Sequence, residues 1–202
     1  MHTKDRKGER NMARDNKITV LVAETAMDTF GGEQMVYSYS NVDESQSIDV
    51  TYCKDSPEEG YVSCSTIGLY DVDCKWSYKG KRLRAEIMAV SDNVDDQIRN
   101  ILSTVAFSIM DIRKCYPGMI LEDIVVEYVS DSDMRHIMLT PNLMWDEIED
   151  IELDDIHITW LMMLPISQSE YEYAREHGWK QLEEIFFEKE IDVADFYREP
   201  VI

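Results

Sequence analysis

Seven carboxylates crowd one short stretch of the chain: Asp146, Glu147, Glu149, Asp150, Glu152, Asp154 and Asp155, with no Lys or Arg between them. Groups of this type at this density can ligate a hard cation, work as an acid and base pair, or imitate a run of phosphates. The cation reading fails on pattern, because no acidic loop here has the glycine at its sixth position that an EF-hand turn requires. Hydrolysis by carboxylates has the least support, since no accompanying catalytic motif occurs. The polyanion reading has a clear physical use. A nuclease must expose cations to hold phosphates. A cluster of carboxylates can occupy that cleft and exclude the substrate. Arg–carboxylate forks then give specificity, and the overall field raises the on-rate. The plainer reading is a solvated loop or helix face. These seven residues are the candidate partner-binding set.

The remaining reactive side chains do not assemble into a motif. His2 stands in a polar N-terminal stretch. His136, His157 and His177 are scattered, with neither H-E-x-x-H nor H-x-H spacing, so no metal site is expected. His177, just before Gly178, reads as a cation at a helix C-terminus. Cys53, Cys64, Cys74 and Cys115 show no C-x-x-C spacing, which argues against zinc or a redox pair and for reduced, partly buried thiols. No G-x-S-x-G, P-loop or Rossmann glycine pattern is present. The expectation is a non-enzymatic protein with no catalytic residue and no cofactor.

Bulk properties narrow the partner. The chain has 202 residues and a net charge of −21. Such a charge argues against direct binding of DNA or RNA and permits a basic protein partner. No segment is apolar enough to cross a membrane, and the basic, polar N-terminus lacks the apolar core of a secretory signal, so a cytoplasmic protein is expected.

The elements that must position these residues follow from periodicity. Met1 to Asp15 has no apolar period and reads as a mobile basic tail. Ile18, Val22, Ala26 and Phe30 repeat every four residues before Gly31-Gly32, which predicts a helix. From Met35 to Val90 the period becomes two, with strands at Val36–Tyr39, Ile48–Tyr52 and Tyr61–Thr66. Asp73–Tyr78 and Leu83–Val90 form a hairpin around Lys79-Gly80. Asn93 to Tyr116 carries an apolar stripe (Ile98, Ile101, Leu102, Val105, Ile109, Ile112) and reads as a helix lying across the sheet, capped by Ser91, Asp92 or Asn93. Ile124–Tyr128 and His136–Leu139 read as further strands. The uncharged run Trp160–Pro165 reads as a strand buried on both faces that Pro165 ends. Ser167 with Glu170 makes a capping box for a helix to His177, Gly178 stops it, and a second helix runs from Trp179 to Glu190 with Leu182, Ile185 and Phe186 on one side. The simplest parse is one α+β domain over residues 16–202, a mixed, mainly antiparallel sheet covered by helices.

The order Trp160, Leu164-Pro165-Ile166-Ser167, Glu170-Tyr171, Gly178, Leu182-Glu183, Ile191-Asp192, Arg198 resembles the suppressor of fused domain family, and in particular its bacterial antitoxin, or immunity protein, branch. Thr66-Ile67-Gly68-Leu69, Leu83-Arg84-Ala85-Glu86-Ile87, Asn100-Ile101-Leu102, Pro117-Gly118 and Met134-Arg135-His136-Ile137 agree with it. The resemblance spans roughly Asn16 to Ile202. It implies an α/β sandwich and a partner that is a cognate secreted polymorphic toxin, a basic nuclease domain being favoured. It carries no catalytic motif to transfer. Animal members of the family bind a peptide as an added strand, so a peptide-binding adaptor using a sheet edge is the alternative.

Overall fold

A computed structural model describes residues 16–94 and 97–202. The basic stretch Met1–Asp15 lies outside the described residues. The elements are α1 (Asn16–Phe30), β1 (Gln34–Ser40), β2 (Ser47–Lys54), β3 (Val62–Ile67), β4 (Ser77–Tyr78), β5 (Lys81–Ser91), α2 (Ile98–Ile112), β6 (Ile120–Leu121), β7 (Met134–Pro141), β8 (Ile151–Glu152), β9 (Ile156–Ser167), α3 (Gln168–His177) and α4 (Trp179–Glu188). Short 3-10 turns lie at Leu69–Asp71 and Val125–Glu127. The strands form one sheet in the order β1-β2-β3-β5-β9-β7-β6, with β4 added to β5 and β8 to β9. Only the central pair β5–β9 is parallel among these pairings. The fold is α+β, a mixed and mainly antiparallel sheet with helices on both faces.

Strand alternation divides the core in two. Ile87 and Ala89 of β5, Ile137 and Leu139 of β7, and Leu161 and Met163 of β9 face α2, which contributes Ile98, Ile101, Leu102, Val105 and Ile109. Met88 and Val90, Met138, and Ile158, Trp160, Met162, Leu164 and Ile166 face the other way. There they meet Val22, Ala26 and Phe30 of α1, Tyr171 and Ala174 of α3, and Leu182 and Phe186 of α4. The result is α2, sheet, then three helices, with β9 buried on both faces as its charge-free run requires.

Four local expectations are corrected. The helix expected from Asn93 begins at Ile98, and it ends at Ile112 where Arg113 turns left-handed at φ 50°. Ser91 Oγ instead accepts from the amides of Asn93 and Val94, so it shapes the turn ahead of the helix. Ile124–Tyr128 is not a strand. Asp123 turns left-handed at φ 57° and donates its amide to His136 Nδ1 (2.9 Å), which takes the chain out of β6 and into a 3-10 turn. Of Asp73–Tyr78, only Ser77-Tyr78 pairs with β5, because the Asp73 carboxylate folds the preceding residues into a turn by accepting from Lys75 N (3.0 Å). Lys79 and Gly80 between β4 and β5 both have positive φ (49° and 81°), as a type I′ hairpin needs. Finally, β9 does not stop at Pro165 but continues to Ser167, with Pro165 opposite Ile137 of β7. Pairing with β5 ends at Met162, so beyond it one side of β9 has no partner strand among the described residues, and a missing N–H there costs no ladder bond.

Candidate partner-docking surface

The acidic segment is the connection from β7 back to β9. Asn142 begins it by accepting from the amides of Met144 and Trp145 (both 3.1 Å) and donating to the Trp145 carbonyl. Trp145 and Ile151 are buried in the core facing α1, with Ile148 and Leu153 packed against it. Trp160 Nε1 donates to the Glu149 carbonyl (3.1 Å), tying the loop's middle to the sheet. The apolar residues therefore turn inward and all seven carboxylates face solvent.

Those carboxylates do not form one equivalent patch. β8 pairs with β9 at Ile151–Ile158 and Glu152–His157, and this brings the segment's second half against the β4–β5 hairpin. Asp150 Oδ2 lies 2.8 Å from Nε2 of the buried His157. Glu152 reaches Lys81 Nζ at 3.3 Å and His157 Nδ1 at 3.6 Å. The Lys81 hydrogen bond, then its charge, holds the Glu152 carboxyl below its ordinary range. Asp155 pairs with Arg82 and accepts the Arg82 amide on its carbonyl (2.9 Å). Asp146, Glu147, Glu149 and Asp154 form no ion pair among the described residues. Three acids thus hold the loop in place, and four present unneutralised charge.

The other two described histidines, His136 and His177, are also accounted for by structure. His136 accepts from Asp123 N and bonds Gln168 Oε1 (2.9 Å). His177 stacks on Tyr173 at the end of α3. Among the described residues no group of three or more His, Cys, Asp or Glu side chains converges on a metal position.

Two surfaces escaped the sequence reading. One is the outer edge of β1, which no strand pairs among the described residues, and which exposes Met35 (42%) and Val36 (49%). Strand length and an uncharged sequence were visible, but strand order was not. The other is an apolar groove beyond the C-terminus of α2, ringed by Trp76 and Tyr116.

With this geometry in view, comparison with known proteins decides the family. The family model described as "Suppressor of fused protein (SUFU)" matches residues 44–199. The chain belongs to the suppressor of fused family. It is similar to the Immunity protein YqcF of Bacillus subtilis (strain 168), at 37% identity over 193 residues, covering 95% of this chain and 99% of that protein. The crystal structure of a suppressor of fused homolog from Neisseria gonorrhoeae FA 1090 superposes with a TM-score of 0.67 at 18% identity, covering 93% of this chain and 96% of that one. A chain of the Sufu–Fu complex crystal structure superposes with a TM-score of 0.55 at 9% identity, covering 84% of this chain and 82% of that one. These two likenesses speak for the fold, which is that of the suppressor of fused family.

Proposed function

We propose that this protein is an antitoxin: an immunity protein that binds a cognate secreted polymorphic toxin and neutralises it without catalysis, in the cytoplasm of the cell that makes the toxin. Residues 16–202 act as its single domain. The observation that carries the reading is the full-length similarity to Immunity protein YqcF, which leaves almost no part of either chain unmatched. The exposed carboxylates Asp146, Glu147, Glu149 and Asp154 support a partner whose working cleft is basic, and a nuclease domain is the toxin class that such a surface fits best. The other three acids of the segment, Asp150, Glu152 and Asp155, set the shape of that surface. Co-expression tests the proposal. The protein is produced beside the C-terminal toxic domain encoded next to its gene, and growth is followed. Restored growth is the expected result, and unrestored growth with the soluble protein present would overturn it.

The open edge of β1 favours a second reading, an adaptor that takes a peptide as an added strand. In that case Val36→Pro abolishes partner binding while reversal of the four free acids leaves it intact. The antitoxin reading expects the opposite pattern.

A further inference from the structure

The groove beyond α2 has a chemistry unlike the rest of the molecule. Because α2 stops at Ile112, the sheet face past its end is left uncovered among the described residues. Leu83 and Ala85 of β5 and Thr159 and Leu161 of β9 make the floor, and the space encloses about 480 Å³, within the roughly 300–1,000 Å³ of small-molecule sites. Trp76, 51% exposed, and Tyr116, 39% exposed, stand at the rim with ring centroids 6.2 Å apart. A half-exposed Trp beside a Tyr over an apolar floor is costly to leave in water and well suited to cover an apolar guest.

Cations gather about this groove although the chain's net charge is −21. Lys75 flanks Trp76, Arg113 and Lys114 precede Cys115 and Tyr116, and Lys180 holds its ammonium 5.7 Å from the ring of Trp179 on the groove wall. Arg113 and Lys114 form no ion pair among the described residues. Arg84 also lines the groove. Its Nη1 donates to Asp73 Oδ1 (3.0 Å) and Leu83 O (3.1 Å), and its Nε and Nη2 have no acceptor among the described residues. Asp73 answers only part of this charge, since it already serves both Arg84 and Lys75. Of the other neighbouring carboxylates, Glu86 is fully buried and Glu183 faces Lys180.

We propose that this groove binds a small anionic amphiphile, an apolar chain or aryl body that ends in one carboxylate. The body lies over Leu83, Ala85 and Leu161 beneath Trp76 and Tyr116, and the carboxylate sits among the cations of the rim. The opposite choice, a cationic guest, would place like charges together beside Arg84, Arg113 and Lys114. The proposal does not depend on the antitoxin reading, because it concerns the chain alone.

Calorimetric titration of the full chain with laurate and, separately, with dodecyltrimethylammonium, both below their micellar concentrations, tests it. Laurate is expected to saturate at one per chain with a blue shift of tryptophan emission, and the cation of equal chain length is expected not to bind. Trp76→Ala, and the pair Arg113→Glu with Lys114→Glu, should each weaken laurate binding by about tenfold or more. Trp76→Phe should retain it. All three positions are exposed, so an unchanged urea midpoint confirms that the variants fold. Unsaturable laurate binding, equal binding of the cation, or affinity unaltered in the rim variants would each overturn the proposal.

Discussion

Glu86 is fully buried, and among the described residues it has no cation to pair with. Its oxygens accept from the amides of Gly68 (2.8 Å), Leu69 (3.2 Å) and Tyr70 (3.1 Å) and from the Thr66 hydroxyl, which fixes the turn after β3. Burial pushes its carboxyl up to about 7, and these hydrogen bonds only partly oppose the shift. The folded state therefore holds a proton on Glu86 that the unfolded chain has already lost between about pH 4.5 and 7. Stability from this group is complete below the lower value and is lost as pH rises through the upper one, a change of about 3 kcal/mol. Urea unfolding at stepped pH, with Glu86→Gln as reference, should show the wild-type chain losing stability over that window relative to the variant. Parallel curves would refute it. Glu170 is buried too, but it is matched by a cation. Arg198 meets it in a fork (2.6 and 2.8 Å), and Val201 N donates to the same carboxylate (3.1 Å). Glu170 also closes the α3 capping box by accepting from Ser167 N (2.9 Å). Removing one partner strands a charge in the core, so Arg198→Ala should cost about 3–5 kcal/mol in urea unfolding. Glu170→Gln combined with Arg198→Met should cost less than Arg198→Ala alone, because no bare carboxylate remains.

At the scale of elements, Gly118 shows how a chain reversal is locked to a helix that begins 61 residues later in sequence. It sits at φ 83°, and a Cβ there would come within 2.1 Å of the Trp179 ring at the start of α4. Gly118→Ala should cost about 2–3 kcal/mol through strain and overpacking, and should alter Trp179 fluorescence as α4 is displaced. Unchanged stability would mean that α4 yields freely. The Pro117-Gly118 pair was legible only as a helix stop, since its contact with α4 is not local. The same distinction runs through the fold. α1, β2, β3, β9 and the Ser167–Glu170 box could be read because their periodicity or spacing is local. The start of α2, the 3-10 turn at Val125 and the passage of β9 through Pro165 could not. The last two are set by a partner distant in sequence: His136 for Asp123, β7 for Pro165. The acidic segment divides in the same way. Its seven charges are plain in the sequence, but which of them His157, Lys81 and Arg82 consume depends on β8 meeting β9 and on the β4–β5 hairpin.

For the molecule as a whole, on the antitoxin proposal, the net charge of −21 makes the long-range field the first thing a basic toxin would meet. That field steers encounter, while direct contacts govern escape, so the acidic surface should show itself mainly in the association rate. Changing Asp146, Glu147, Glu149 and Asp154 together to Lys is expected to slow association with the toxic domain about tenfold or more at low salt, measured by stopped-flow mixing. The deficit should shrink as salt shortens the screening length toward about 8 Å near physiological ionic strength. Stability should hardly change, because none of the four is in an ion pair within the described residues. Asp150→Asn with Glu152→Gln should behave differently. It loosens the loop from His157 and Lys81, so its effect should appear in the dissociation rate and persist at high salt. If the fourfold reversal leaves the association rate unaltered, the toxin does not approach through this segment. The field of the remaining acids would then steer it elsewhere, and the uncharged edge of β1, where two main chains can pair without opposing charges, becomes the surface to disrupt.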